Sequence, residues 1–248
     1  MRELISKTNL KPTIGTVQAI THRPTPSPFD CRWLTLLVAS LALLCCLPAG
    51  AATVTFSFDF PGSDPEHYSI SVPSDGRARY ECSAPISPDS NDRENYQTDF
   101  SLSDATRARI FDLAAQAKYF SGKVDSGKQK LANTGAKKLS YKGGQRDFTA
   151  AYNYSPLPAV QQLTTLFQSI SATLEFGRRL EHLHHYQKLA LDDELKRMEE
   201  QARHGDLIEL QAVKPILQEI NTDSSVLNVV RARAQRIIEM APAAAAGR

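Results

Sequence analysis

The sequence predicts an α+β fold in which a small, mostly antiparallel sheet with one packed helix precedes a long C-terminal helix and two shorter helices. Three observations predict it. Between residues 54 and 154, short runs alternate apolar and polar side chains, as strands with one buried face do. One stretch, 104–120, has helical apolar spacing instead. After Ser155-Pro156 the spacing becomes helical and stays so to about residue 240.

The strand predictions follow the alternation. TVTFSFDF places four apolar side chains on one face, namely Val54, Phe56, Phe58 and Phe60. HYSISV repeats the pattern, and the turn PSDG joins it to RARYEC as a hairpin, before a polar loop at 83–96 and a short strand at TDFSL. AKKLSYK and QRDFTAAYNY predict a second hairpin. Phe148, Tyr152 and Tyr154 share a strand face, which favours sheet core over a ligand groove.

Helix signals divide the rest of the chain. Ser103 is typical of an N-cap and begins the first helix. A long helix is predicted from about 158 to 204, ending at Gly205. A second helix would start at Asp206, and a third, capped by Asp223, would end near residue 240. We therefore expect a sheet domain at 52–156, a helical arm at 157–240 and a disordered tail at 241–248.

The apolar stripe of the long predicted helix changes face near Gly177. The earlier set should pack on the sheet and comprises Val160, Leu163, Phe167, Ile170 and Leu174. The later set faces another direction and comprises Phe176, Leu180, Leu183, Leu191, Leu195, Met198 and Ala202. Two coverings fit this later stripe: the helices after Gly205 folded back, or another chain. A protein partner or self-association through the helical arm is the corresponding functional prediction.

The N-terminal region carries an export signal. Residues 33–47, WLTLLVASLALLCCL, form an uncharged apolar run, and Ala49-Gly50-Ala51 supplies a small-x-small cleavage pattern. The run is shorter than the roughly 20 residues of a membrane-spanning helix. We interpret residues 1–51 as a leader cleaved after Ala51, with the protein exported to the periplasm or the extracellular space. The alternative is a membrane anchor at 33–52, through which alone the protein would contact a membrane.

Charge and cysteine content narrow the functional classes. The whole chain carries a net charge of +2, but residues 1–51 contribute +3, so the remainder sits at −1. A nearly neutral body lacks the clustered basic face that nucleic acid requires, which excludes that class of partner. Cys82 is the single cysteine after the leader, and its strand parity predicts a buried thiol, with pairing between chains as the alternative.

Catalytic signatures are missing from the sequence. It contains no Gly-x-Ser-x-Gly elbow, no phosphate-binding loop, no Gly-x-Gly-x-x-Gly turn and no HExxH. These absences favour a non-enzymatic protein, for which we predict no catalytic residue and no cofactor.

Residues 180–188, LEHLHHYQK, concentrate imidazole groups. On a helix, Glu181 and His185 fall on one side, whereas His182 and His184 lie on nearly opposite faces. The spacing of Glu181 and His184 matches one half of a carboxylate-bridged di-iron motif, but the second half is missing, so no metal site is predicted. A solvated helix face is the favoured interpretation. Glu181, His182 and His185 are the candidate binding residues for the alternative, a metal or small ligand.

Three segments carry a resemblance to a family. YSISVPSDGRARYE, SDATRARIFDLAAQAKYF and the stretch from KKLSYKGGQRDF to ISATLEF resemble uncharacterised exported proteins of bacteria. The resemblance covers about 54–180, implies a hairpin–helix–hairpin–helix order and an envelope or secreted context, and transfers no catalytic residue. The functional hypothesis is an exported, non-enzymatic interaction or assembly module.

Overall fold

The computed structural model describes residues 51–75, 77–85, 93–128 and 132–241. The predicted leader and tail lie outside these residues except for Ala51 and Ala241. Within them the predicted α+β class is confirmed: the chain forms a six-stranded antiparallel sheet and five α-helices, one of them long. Among the helices of the described residues, none combines the length and apolar character that a membrane span needs.

The sheet follows the predicted alternation. Its strands are β1 (Thr53–Asp59), β2 (His67–Pro73), β3 (Arg77–Pro85), β4 (Arg93–Ser101), β5 (Ala136–Gly143) and β6 (Arg146–Tyr152), in the order β4-β3-β2-β1-β5-β6. The polar loop predicted at 83–96 is shorter than expected, because β3 extends to Pro85 and β4 begins at Arg93. Residues such as Ser83 and Asn95 pair across this ladder, since backbone hydrogen bonds tolerate polar side chains on an exposed face.

The inner face of the sheet is covered by helix α2 (Pro158–Tyr186), which α1 (Asp104–Gln116) also contacts. The predicted cap of α1 is confirmed, because Ser103 Oγ accepts a hydrogen bond from the Thr106 amide at 3.3 Å. Phe167 on α2 stacks on Phe56 of β1, with ring centroids 5.2 Å apart. The early apolar stripe thus packs on the sheet as predicted.

The prediction of one helix from 158 to 204 is wrong. Helix α2 ends at Tyr186, where Gln187 takes the non-helical angles φ −143° and ψ 58°, and a 3₁₀ turn leads into α3 (Leu191–His204). Neither proline nor glycine marks this break in the sequence, so tertiary contacts override good helix propensity there. The predicted end of the arm helix at Gly205 is confirmed, with a left-handed φ of 79°.

The later helices also begin elsewhere than predicted. Helix α4 (Lys214–Thr222) starts eight residues after Asp206, and Pro215 lies in its first turn, where proline is tolerated. Asp223 follows α4 instead of capping the next helix, and α5 spans Asn228–Met240. The Asp223 carboxylate accepts a hydrogen bond from the amide of Ser225 at 2.8 Å, which closes a local turn.

The later apolar stripe is covered by the chain itself. Leu180, Leu191 and Leu195 are completely buried in the same core that contains residues of α4 and α5. Gly177 lies where the apolar stripe changes face, and Val213 packs directly against it. A Cβ at position 177 would lie 2.6 Å from Cγ1 of Val213, so only glycine permits this close packing. The sequence left open whether the helices after Gly205 or another chain cover this stripe. In the structure, the helices after Gly205 pack on it.

Candidate functional site

The predicted histidine face lies at the C-terminal end of α2. The ring of His182 is 5.0 Å from that of Tyr186, and the ring of His185 meets the same tyrosine edge-on at 4.3 Å. Burial, followed by the nearby Glu219, raises the pKa of the Glu181 carboxyl. Tyr186 therefore separates His182 from His185 and gathers both imidazoles around an aromatic ring.

These groups do not form a metal-binding set in the structure. In the described ranges, no three His, Cys, Asp or Glu side chains are placed so that they could hold a metal ion. The alternative of metal or small-ligand binding by Glu181, His182 and His185 stays a prediction, for which equilibrium dialysis with zinc is the direct test.

His184, which the sequence placed on the helix face nearly opposite His182, has a specific partner. Its Nε2 lies 2.9 Å from Oδ2 of Asp223. Lys188 Nζ donates to the same oxygen at 2.7 Å and to Ser225 Oγ at 2.6 Å. The pKa of Asp223 is held well below its ordinary value, first by Lys188 and then by Ser225 and His184. We call these four residues the arm clasp, because they join the end of α2 to the segment after α4.

Four large, solvent-exposed apolar side chains lie within a few residues of the arm clasp in the sequence. Their exposed fractions are 70% for Tyr186, 87% for Leu189, 59% for Leu227 and 54% for Val229. Tyr186 is the last residue of α2 and Leu189 lies on the α2–α3 connection, whereas Leu227 and Val229 lie at the start of α5. The clasp hydrogen bonds join these two segments of the chain. We call this set the arm-tip patch.

A buried polar cluster between the sheet and α2 offers the strongest alternative for chemistry. Glu175, with a side chain only 3% exposed, accepts from the hydroxyl of Tyr80 at 2.7 Å and from the thiol of Cys82 at 3.3 Å. Its second oxygen accepts from Nε of Arg178 at 3.0 Å. Burial and the adjacent Glu175 raise the pKa of Cys82 to about 12. A thiol with that pKa is a poor nucleophile at neutral pH. The hydrogen bonds of this cluster join β3 to α2.

The prediction of a buried thiol is confirmed, since Cys82 is 4% exposed. The sheet-core prediction for the aromatic residues of β6 holds only for Tyr152, which is 6% exposed. Phe148 and Tyr154 are exposed to 39% and 46%, because β6 is an edge strand and Tyr154 lies beyond its end.

Two further carboxylates hold the helical arm together. Glu199 on α3 is contacted by Arg203 of the same helix and by Arg233 and Arg236 of α5, and the last two contacts join α3 to α5. Glu209, at a left-handed φ of 60°, accepts from the amide of Ser103 at 2.8 Å and so caps α1 from the arm. The Glu209 contact joins the arm to the start of α1, whereas the Glu199 contacts join two helices within the arm.

The sequence signals for this site were incomplete. Asp223 is 39 positions from His184, so their pairing is invisible to local spacing. The exposure of Leu189 depends on the break at Gln187, which no sequence signal marks. Comparison with known proteins finds no family model that matches the chain, and no curated protein matches it.

Proposed function

We propose that this chain is an exported, non-enzymatic interaction protein of the cell envelope or the extracellular space, and that its arm-tip patch binds a protein surface. The observation that carries the proposal is the patch itself. Single exposed apolar residues are common on proteins, but a group of them marks an interaction surface. Here four lie on two segments joined by one set of hydrogen bonds.

The arm clasp supports the proposal because it orders the patch before binding. Connections between helices lose conformational freedom when they bind, which weakens affinity. The bonds from Lys188 and His184 to Asp223 already hold the two connections in place. Preorganisation of this kind favours tight association from a small apolar area.

The occupant that we infer is a second copy of the chain. The patch is apolar, and charges of both signs, Lys188 and Asp223, lie beside it. Because these two charges already neutralise each other within the clasp, the apolar patch can pair with an identical patch about a twofold axis without bringing like charges together. The later apolar stripe cannot serve this purpose, since Leu195 is completely buried within the chain.

Light scattering across a concentration series of residues 52–248, without a histidine tag, tests the proposal. The unchanged protein should associate with rising concentration, and Leu189→Ser combined with Leu227→Ser should remove that association. The matched control combines Phe148→Ser with Leu157→Ser, which removes two exposed apolar side chains from outside the patch. Association that survives the tip variant, or that the control abolishes equally, would show that the patch is not the interface.

A protein that stays monomeric at every concentration would exclude the second copy. A photo-crosslinking residue at position 189, compared with one at position 148, then tests a different protein partner in intact cells. Crosslinks that form from position 189 but not from position 148 would support binding of a different protein at the patch. Equal or absent crosslinking at both positions would exclude it.

The export part of the proposal has its own test. Residues 1–60 fused to a reporter enzyme that is active only outside the cytoplasm should give activity, and Leu37→Arg within the apolar run should abolish it. N-terminal sequencing of the exported chain should begin at Ala52. A retained N-terminus with reporter activity would support the anchor at 33–52, and an inactive reporter would contradict export.

A further inference from the structure

Lys137 is a buried lysine on the inner face of the sheet. It shares that face of β5 with Leu139 and Tyr141, and it is only 6% exposed. Its cross-strand neighbours are Phe58 on β1 and Tyr152 on β6. The ammonium nitrogen lies 5.6 Å from the centroid of the Phe58 ring.

Only neutral oxygen atoms hold this ammonium group. Nζ donates to the carbonyl oxygens of Thr134 at 2.8 Å, Gly135 at 3.1 Å and Asn153 at 3.2 Å, and to Thr134 Oγ1 at 2.9 Å. Within the described part of the chain, no carboxylate forms an ion pair with it. Burial without a counter-charge lowers the pKa of Lys137. Among the described residues, this buried positive charge therefore has no counter-charge.

A cavity of about 200 Å³ lies beside Lys137. Tyr152 and Tyr154 line it, together with Gln161 and Thr164 of α2. Thr164 donates its hydroxyl proton to the carbonyl of Val160 at 2.7 Å, so the Tyr152 hydroxyl is the donor in its 2.6 Å contact with Thr164. Apart from Lys137, the described lining residues are uncharged.

We propose that this cavity binds a small organic monocarboxylate, with its carboxylate beside Lys137 and its apolar part against the tyrosine rings. A single buried cation is balanced by a single negative charge, whereas a dianion would bring an uncompensated charge into the same site. The cavity is smaller than the roughly 300 Å³ at which pockets for drug-sized ligands begin, which limits the ligand to a compact molecule. Aromatic walls favour a flat apolar group.

A purely structural role for Lys137 is the competing explanation. Its hydrogen bonds join the turn at Thr134 and Gly135 to the end of β6 at Asn153. That role accounts for the bonds, but neither for the unbalanced charge nor for the adjacent cavity. The two explanations differ in whether a carboxylate binds in a charge-dependent way.

Titration calorimetry with benzoate, butyrate and acetate tests the proposal on the exported protein. Benzamide is the matched neutral probe, because it has the shape of benzoate without the charge. At least one carboxylate should bind saturably, and benzoate should bind about tenfold more tightly than benzamide if the charge is used. Lys137→Met should remove the difference. Lys138→Met is the matched control, since Lys138 is exposed on the opposite face of β5.

Saturable binding of none of the three carboxylates would overturn the proposal. Equal affinity for benzoate and benzamide would also overturn it, as would equal losses in both lysine variants. Circular dichroism should first establish that Lys137→Met folds. If this variant does not fold, binding to the unchanged protein is measured at a series of pH values instead. The proposal then requires that benzoate affinity falls as rising pH deprotonates Lys137, while benzamide affinity stays constant.

Discussion

Glu175 and Lys137 are both buried charged side chains between the sheet and α2, but their charges are compensated differently. Glu175 is 2% exposed and has a guanidinium partner in Arg178 at 2.9 Å, with Arg179 at 3.9 Å. Lys137 is 6% exposed and has only neutral acceptors among the described residues. A buried charge costs free energy unless it is paired, so Lys137 should contribute less to stability than Glu175 does.

The largest effect should come from creating a buried charge with no partner at all. Leu195→Asp places a carboxylate where the side chain is now 0% exposed. We expect it to lower the free energy of unfolding by about 5 kcal/mol or more, because it adds an unpaired charge to the loss of apolar packing. Urea unfolding measures this. The matched control is Leu189→Asp, at a position that is 87% exposed, and it should change the free energy of unfolding by less than about 0.5 kcal/mol. Equal losses in the two variants would contradict the burial of Leu195 and the exposure of Leu189.

Removing one member of an existing buried pair should cost less. Glu175→Gln keeps an acceptor for Tyr80 but removes the close counter-charge of Arg178, which is left with the exposed Asp64 at 3.9 Å. We expect a loss of about 3–5 kcal/mol in the free energy of unfolding, the range measured when one partner of a buried ion pair is removed. The same urea titration measures it, and Glu200→Gln, an exposed carboxylate on α3, is the control. Equal stability of the two variants would mean that the pair is solvated.

Glu199 is a third buried charge, paired like Glu175, and its contribution to stability should depend on pH. Arg236 and Arg233 lower the pKa of this carboxyl from 4.5 to about 2. Because the folded pKa is depressed, its stabilisation is complete above pH 4.5 and is lost as the pH falls through 2. Glu199→Gln should therefore lower stability at neutral pH by about 3 kcal/mol, and the two proteins should converge at acidic pH. Thermal unfolding between pH 2 and 7 measures this; a constant difference across that range would contradict the ion-pair origin.

The same residues show what local sequence could and could not predict. Alternation predicted the sheet because each strand buries one face, and it held from Val54 to Phe58 and from Leu139 to Tyr141. It also carried an unused signal, since Lys137 has the parity of Leu139 and so belongs to the inner face. The helix break at Gln187 and the pairing of His184 with Asp223 depend on contacts distant in sequence, which local patterns do not encode.

The smallest effect should come from Lys137 itself. Lys137→Met removes four hydrogen bonds but also the cost of burying an unpaired charge, so the free energy of unfolding at pH 7 should change by no more than about 1 kcal/mol.

Burial lowers the pKa of Lys137 in the folded protein below its ordinary 10.5, so the folded protein releases this proton at a lower pH than the unfolded chain does. Stability of the unchanged protein should therefore rise, relative to Lys137→Met, as pH rises through the folded pKa toward 10.5. Urea titrations at a series of alkaline pH values, with Lys138→Met as the control, measure that divergence. Parallel curves would mean that Lys137 titrates as a solvated lysine, and the contrast with Glu175 would then disappear.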